Sequence, residues 1–247
     1  MKFSELALKE ILPTVRNRFE LWSRVFDANA CRKIAEVGVW KGEYAEKILK
    51  SCPGIENYVM IDPWRHLPDW NKPANEAQLV FDDIFQEAIG RNQFAKEKLT
   101  VLRDRTVIAA DSLKDGYLDA TYIDGDHTLK GITIDLIKMH PKVRKGGLIG
   151  GDDFTKTIWQ HSDAYDPTLV FPFAVYFAEA HDLPIYSLPF EQFVIVNDSD
   201  LGFKFEDLAG GYADFKMREL AAKPKKAFVQ TLKAAVPAPV KRLLKGR

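Results

Sequence analysis

The fold is decided by a short stretch near the start of the chain, IAEVGVWKGE at residues 34–43. Ile34 to Val39 is mostly apolar and β-branched, which predicts a buried strand. The helical pattern that follows, Glu43 to Lys50, indicates that Gly38 and Gly42 form a tight turn between this strand and a helix. A strand that turns directly into a helix is the opening unit of an α/β sheet.

The same alternation continues along the chain and predicts a parallel sheet. Further strands are expected at Tyr58–Ile61, Thr100–Leu102, Ala120–Ile123 and Gly147–Gly150, with helices at Asn75–Arg91, Thr106–Lys114, Lys130–His140 and Phe173–His181. Two last runs, Ile185–Leu188 and Phe193–Val196, are only four residues apart, which is too short for a helical crossover. We therefore predict a Rossmann-like, doubly wound α/β sheet, mostly parallel, with a C-terminal antiparallel hairpin strand and an N-terminal helical extension.

Composition and charge divide the 247 residues into three parts. With 46% hydrophobic and 28% charged side chains, the chain has the composition of a soluble globular protein. We predict an N-terminal helical extension at residues 1–30, a sheet domain at residues 31–205 and a basic C-terminal tail at residues 206–247. From residue 216 onward the tail carries ten Lys or Arg residues and a single acidic residue, Glu219.

The sequence also excludes several classes of protein. No run approaches the roughly 18 apolar residues of a membrane span, and the first residues lack the apolar core of a signal peptide. Cys31 and Cys52 form no CxxC pair, so neither a disulfide framework nor a thiolate zinc site is expected. We expect a cytoplasmic protein. Three interpretations of the basic tail stay open: peripheral contact with the inner membrane face, a homo-oligomer contact, or a solvated end.

The glycine turn predicts a cleft for a small molecule, because ligands of open parallel sheets bind beyond the carboxyl ends of the strands. A dinucleotide needs a glycine where Trp40 stands, since its pyrophosphate approaches the backbone there. A nucleoside without phosphates makes no such demand. Asp62, at the end of the second predicted strand, suits a ribose diol; the structural alternative is that it caps the next turn.

Four motifs lie at the carboxyl ends of the predicted strands: EVGVWKGE at residues 36–43, IDPW at 61–64, YIDGDH at 122–127 and GGLIGGDDF at 146–154. Together they resemble the class I S-adenosylmethionine-dependent methyltransferases, and within them the metal-dependent small-molecule and sugar O-methyltransferases. The resemblance implies S-adenosylmethionine as cofactor. It also implies a set of cofactor-binding residues, from the methionine part to the ribose and the adenine: Glu36, Gly38, Trp40, Gly42, Asp62, Trp64, Asp104, Arg105 and Asp124.

A cluster of carboxylates is expected beside the methyl group of that cofactor. Asp124 follows the fourth predicted strand, and Asp152 and Asp153 follow the fifth. An all-oxygen set selects a hard divalent ion, Mg²⁺ first, and the resemblance implies a metal at these three positions. Many relatives have His-Asp-Tyr where this chain has Asp152-Asp153-Phe154, which favours the metal over a histidine role there. The structural alternative is that Asp152 and Asp153 bind the cofactor or cap a turn.

The catalytic residues predicted beside this cluster are His127 and Asp126, together with Asp124. The ordinary pKa of a histidine lies near neutral pH, so His127 is the first candidate for taking the proton of an acceptor hydroxyl, and Asp126 is the second. The stretch Asp126 to Thr128 precedes a predicted helix and also has the composition of a helix cap. Pro63 to Pro73, rich in proline and tryptophan, is expected to form a lid over the cleft.

These observations predict methyl transfer from S-adenosylmethionine to a hydroxyl of a small molecule, a sugar or glycan intermediate, with help from a divalent metal. Two alternatives use the same sheet: a metal-independent N-methyltransferase and a nicotinamide-dependent oxidoreductase. The expected partner is the small-molecule or glycan acceptor. Nucleic acid is not expected as a partner, because the terminal hairpin separates the basic tail from the cleft.

Overall fold

The computed structural model of the chain describes residues 3–223, which form an eight-stranded sheet with helices on both faces. The strands are β1 (Lys33–Val37), β2 (Asn57–Ile61), β3 (Leu99–Leu102), β4 (Leu118–Ile123), β5 (Val143–Gly151), β6 (Pro184–Leu188), β7 (Gln192–Val196) and β8 (Lys204–Asp207). Their order across the sheet is β3-β2-β1-β4-β5-β7-β6-β8. Only β7 runs antiparallel to its neighbours β5 and β6 among these eight strands. The predicted fold class is therefore confirmed.

Two apolar layers enclose the sheet, because its strands alternate side chains between the faces. The helices are α1 (Glu5–Ile11), α2 (Arg18–Ala28), α3 (Glu43–Ser51), α4 (Gln78–Arg91), α5 (Thr106–Ala109), α6 (Leu129–Met139), α7 (Val170–Ala180) and α8 (Met217–Leu220). Helices α1 to α4 pack on one face with Ile34, Tyr58 and Tyr122 of the strands. Helices α5 to α7 pack on the other face with Val37 and Ile123. The doubly wound arrangement follows from this division.

The N-terminal extension is two helices that belong to the core. Ser4 and Asn17 cap them, accepting hydrogen bonds from the backbone N–H groups of Ala7 and Glu20. Trp22 of α2 is completely buried, and a Cβ at Gly150 would lie 1.8 Å from its indole ring. The indole therefore occupies the space that this glycine of β5 leaves, which fixes α2 at the carboxyl end of the sheet.

Several element boundaries differ from the predicted ones. Strand β5 begins at Val143, four residues before its predicted start, because its interior glycines weaken the strand pattern. The helix predicted at Thr106–Lys114 is a short α5 followed by a 3₁₀ turn at Ala110–Ser112. Strand β8 was not predicted: it is an edge strand without fully buried residues, so its pattern carries little signal.

The C-terminal part of the described chain folds back on the sheet. The buried side chain of Tyr212 donates a hydrogen bond to the carbonyl of Phe154. The division at residues 30 and 205 stays a prediction, and most of the predicted basic tail, from residue 224 onward, lies outside the described residues. Within residues 3–223, no helix combines the length and the apolar character needed to cross a bilayer.

Candidate cofactor and metal site

The turn between β1 and α3 is the first wall of the site. Gly38 has a φ of +84°, and a Cβ there would lie 2.0 Å from the carbonyl oxygen of Asp124. The loops after β1 and β4 can thus approach each other only through a glycine. Gly42 has a φ of +72° and starts α3 as its N-cap, without a side-chain capping bond.

Asp62 organises this turn from the end of β2. Its Oδ2 accepts hydrogen bonds from the backbone N–H groups of Val39 (2.9 Å) and Trp40 (3.0 Å), and its Oδ1 accepts one from Trp64 (2.7 Å). Burial raises the pKa of Asp62, although the three N–H groups oppose the rise. The carboxylate is therefore a structural element of the turn, and its contact with a ribose stays a prediction.

Glu36 lies at the base of the cleft. Its side chain is buried, and the hydroxyl of Tyr58 donates a hydrogen bond of 2.8 Å to its Oε2. Burial raises the pKa of Glu36 well above its usual range, and the Tyr58 hydroxyl opposes the rise only in part. The structure places Glu36 under the glycine turn, which leaves its predicted role at the methionine part open to test.

The predicted adenine side is held by loops after β2 and β3. Asp104 accepts a hydrogen bond from the backbone of Arg105 (2.8 Å) and pairs with Arg65. Trp64 is completely buried: its ring packs edge-on against Phe85, with centroids 5.0 Å apart, and its Nε1 donates to the carbonyl of Trp40. In this conformation Trp64 presents no exposed ring face, so a contact with the cofactor requires that the loop moves.

The predicted acidic cluster forms at the ends of β4 and β5, with a histidine inside it. His127 Nδ1 lies 2.5 Å from Asp153 Oδ2, and His127 Nε2 lies 3.4 Å from Asp124 Oδ1. Asp124, His127 and Asp153 each offer one ligand atom, and these atoms lie within 4.8 Å of one another. This donor group fits a divalent ion, because it combines two carboxylates with an imidazole at one point.

Asp152, the third predicted metal ligand, is engaged elsewhere. Its carboxylate contacts Nη1 of Arg18, and its Oδ1 accepts a hydrogen bond of 2.5 Å from Nε2 of Gln192. The structure therefore places His127 where the sequence analysis placed Asp152. The reason is local: β5 ends at Gly151, and Asp153 has a φ of +58°, so the backbone turns sharply between the two residues and their side chains diverge.

The charge state of His127 differs from the one assumed for a general base. Burial opposes its protonation, but the hydrogen bonds and charges of Asp124 and Asp153 outweigh burial and raise the pKa of His127 to about 10. Burial likewise opposes ionisation of Asp153, yet His127 lowers the pKa of that carboxyl. Without a metal, His127 is an imidazolium at neutral pH and already carries the proton that a general base would have to accept.

Asp126 is hydrogen-bonded to residues 63–73, the segment predicted to form a lid. Its Oδ1 accepts hydrogen bonds from Trp70 Nε1 (3.0 Å) and from the backbone of Thr128 (3.0 Å). Thr128 is the N-cap of α6, so the predicted helix cap is present at this residue of the stretch. Trp70, half-buried, is thereby held beside the acidic cluster.

A polar chain that the sequence analysis missed links the lid to Asp153. The buried ammonium of Lys72 donates to the carbonyl of Asp166 (2.8 Å) and to Thr168 Oγ1 (3.1 Å). Thr168 donates to Gln160 (2.9 Å), and Gln160 Nε2 donates to Asp153. No motif marks these residues, because they come from separate loops.

Three residues of the site have a strained backbone. Trp40, Trp64 and Asp153 have φ values of +51°, +39° and +58°, in a region that costs non-glycine residues energy. Each is itself a predicted cofactor or metal residue. The surrounding hydrogen bonds hold these conformations, which is typical of sites whose geometry is built for a ligand.

Asp135 of α6 is a buried acid below the loop of residues 124–126 and gives a pH-dependent prediction. Burial raises its pKa to about 7, and a nearby Thr106 hydroxyl opposes the rise. In the unfolded chain Asp135 ionises near pH 4, whereas in the folded protein it ionises only near pH 7. The free energy of unfolding therefore falls as the pH rises between these values. We expect Asp135→Asn to abolish this loss, which amounts to up to about 4 kcal/mol.

The measurement is urea unfolding at pH 5 and pH 8. The advantage of Asp135→Asn over the parent should be larger at pH 8. Asp111→Asn on the surface, where Asp111 pairs with Lys138, is the control. An equal difference at both pH values would show that Asp135 is ionised in the folded protein.

The region that matches known proteins is the region that builds this site. A family model described as a methyltransferase domain matches residues 35–154. No curated protein matches the chain in sequence.

Solved structures share the fold at low sequence identity. A Staphylococcus aureus protein described as a caffeoyl-CoA O-methyltransferase has a TM-score of 0.53 and 12% identity, over 78% of this chain and 89% of its own. A Klebsiella pneumoniae protein described as an O-methyltransferase has a TM-score of 0.52 and 15% identity, over 78% and 90%. The O-methyltransferase TomG of Streptomyces achromogenes, solved with S-adenosylmethionine, has a TM-score of 0.50 and 14% identity, over 79% and 90%. Because the matched region supplies both the glycine turn and the acidic strand ends, residues 35–154 form a methyltransferase domain, and the chain has the fold of the class I S-adenosylmethionine-dependent methyltransferases.

Proposed function

We propose that this methyltransferase acts on a hydroxyl of a small molecule, a sugar or glycan intermediate, with the help of a divalent metal. The group of Asp124, His127 and Asp153, with ligand atoms within 4.8 Å of one another, is the observation that carries the proposal. An electrophilic methyl sulfonium needs no activation, whereas an alcohol becomes a good nucleophile only when its proton is weakened or removed. A metal group at the end of β4, next to the glycine turn, supports this chemistry.

When bound, a divalent ion at this group would lower the pKa of the acceptor hydroxyl and orient its oxygen. The oxygen then attacks the methyl carbon, the C–O bond forms, and sulfur keeps the electron pair of the broken C–S bond. The hydroxyl proton needs an acceptor. His127 can serve as ligand or as base but not as both through one nitrogen, so Asp126 is the base when His127 is a ligand.

The donor set refines the choice of metal. The all-oxygen set of the sequence analysis favoured Mg²⁺, whereas the set in the structure includes an imidazole. Imidazole nitrogen binds Mn²⁺, Fe²⁺ and Zn²⁺ more readily than it binds Mg²⁺. Mg²⁺ remains the first proposal because two of the three ligands are carboxylates. Mn²⁺ is added because it suits a set that also contains an imidazole.

The lid supports a carbohydrate acceptor. Trp70 is half-buried, and its indole N–H is fixed on Asp126, so the ring is held beside the acidic cluster. A positioned indole suits stacking on the apolar face of a sugar ring, and the carboxylates suit its hydroxyls.

One observation favours the metal-independent alternative. Arg18 and the protonated His127 already compensate the charges of Asp124, Asp152 and Asp153. A site neutralised in this way can transfer a methyl group to an amine without a metal. The nicotinamide alternative is withdrawn, because the family model that matches residues 35–154 is that of a methyltransferase domain.

Metal binding separates the two proposals. We expect the chelator-treated protein to bind one Mn²⁺ per chain, measured by electron paramagnetic resonance of the free ion. His127→Ala should weaken the binding at least about tenfold, because an imidazole ligand is lost. His161→Ala is the matched control, since His161 is not a member of the group. If Mn²⁺ and Mg²⁺ both fail to bind, the metal-independent alternative stands.

A further inference from the structure

Arg18 reaches the cleft from outside the matched methyltransferase domain, which begins at residue 35. It is the first residue of α2, and its Nη1 lies 3.0 Å from Asp124 Oδ2 and in contact with Asp152. Two strand ends thus hold one guanidinium. Burial opposes its charge, but neighbouring groups, Asp124 among them, raise the pKa of Arg18 further above its usual range.

Only one side of this guanidinium is used. Within residues 3–223, the hydrogen bonds and ion pairs of Arg18 run through Nη1, and neither Nε nor Nη2 has a partner. These two nitrogens are accessible to solvent: neither is a buried atom, and the side chain of Arg18 is 31% exposed. A guanidinium edge with two parallel N–H groups matches the geometry of a carboxylate.

The position of this edge is fixed. Trp22, one helical turn after Arg18, is buried against Gly150, and its Nε1 donates a hydrogen bond of 2.8 Å to Gln192. Gln192 also donates to Asp152. Helix α2 and the strand ends therefore position Arg18 together, so little side-chain entropy is lost when a ligand binds.

A second polar group beside Arg18 lacks a partner. Tyr44 lies in the first turn of α3, where its ring stacks on Tyr122 with centroids 3.9 Å apart. Its hydroxyl is buried and has no hydrogen-bond partner within the described chain. Arg18 is close enough for its charge to oppose the rise that burial causes in the pKa of Tyr44. An orphaned buried hydroxyl of this kind indicates a polar ligand that is not part of the chain.

We infer that Arg18 binds the carboxylate of the methionine part of S-adenosylmethionine through Nε and Nη2. The cofactor carries one carboxylate, at the end of the chain that bears its sulfur. The glycine turn after β1 and the strand end at Asp124, both next to Arg18, are the walls along which this part of the cofactor is expected to lie. The N-terminal helices are then a part of the cofactor site.

The test compares two ligands that differ in this carboxylate. S-adenosylhomocysteine carries it, and S-adenosyl-3-thiopropylamine keeps the nucleoside, the sulfur and the amine without it. We expect Arg18→Met to weaken binding of S-adenosylhomocysteine at least about tenfold, measured by calorimetry, because a charge-assisted pair is lost. The affinity for S-adenosyl-3-thiopropylamine should change by less than about threefold. Arg16→Met is the matched control, because Arg16 is exposed and pairs with Glu20 on the surface.

Measurable but equal losses for both ligands, or no loss for either, would overturn the inference and leave Arg18 as a support for Asp124 and Asp152. If Arg18→Met binds neither ligand, Arg18→Lys decides. It keeps the charge and loses the paired donors, so a selective loss of S-adenosylhomocysteine supports the inference and a parallel loss contradicts it. Both titrations need neither metal nor acceptor, so their result is independent of the proposed hydroxyl chemistry.

Discussion

Replacement of Asp153 by Asn is expected to abolish metal binding while the cofactor still binds. Asp153 Oδ2 lies 2.5 Å from His127 Nδ1, and the residue offers one of three converging ligand atoms. An amide at this position removes the negative charge that attracts the ion and that holds His127. We expect the affinity for Mn²⁺ to fall at least about 100-fold. Turnover of an acceptor alcohol should fall with it.

The cofactor should be unaffected, because the positions predicted for it lie mainly on β1, β2 and the loop after β3. Calorimetry with S-adenosylhomocysteine should show a change of less than about threefold. Asp115→Asn is the matched control, since Asp115 is exposed and pairs with Lys142 on the surface. An Asp153→Asn variant that binds Mn²⁺ as well as the parent would remove the ion from this site.

Gly38→Ala is expected to destabilise the whole domain. The new Cβ would lie 2.0 Å from the carbonyl oxygen of Asp124, and the backbone φ of +84° is one that alanine rarely adopts. The atoms nearest to the new Cβ belong to the backbone of Asp124 and Gly125, so the strand ends would have to separate. We expect a loss of about 3 kcal/mol or more in the free energy of unfolding, from strain and overpacking together.

Urea unfolding at pH 7.5 or so measures the loss, and calorimetry on the folded fraction measures binding of S-adenosylhomocysteine. Gly54→Ala is the matched control, because nothing lies within 4 Å of a Cβ at Gly54. That variant should stay within about 1 kcal/mol of the parent. Equal stability of the two variants would mean that the loops after β1 and β4 are not packed as described.

The sequence contained enough to predict the sheet and the strand ends at which the candidate site is proposed. The stretch around Gly38 marks where β1 ends, and the short link between β6 and β7 determines that β7 is reversed. These features are local, since each depends on a few neighbouring residues. Strand β8 was not predicted, because a partly buried edge strand has no strong alternation of apolar and polar residues.

The details of the site depend on contacts between distant segments, which no single stretch records. Asp152 and Asp153 are adjacent, and only the pairing of Asp152 with Arg18 shows which of them faces His127. Arg18 itself left a faint signal: it precedes the buried Trp22 by four residues, so it lies on the inner stripe of its helix. A charged residue on such a stripe warrants attention as a group with a buried partner.

The chain of hydrogen bonds from Lys72 through Thr168 and Gln160 to Asp153 has a consequence for the proposed release of product. Residues 63–73 can open widely only when Lys72 gives up its bonds to Asp166 and Thr168. Thr168 also supports Gln160, which orients Asp153. In the proposed mechanism, opening the exit for product and loosening the proposed metal ligand Asp153 are therefore energetically linked, so an enzyme molecule that releases its product would have a relaxed metal site.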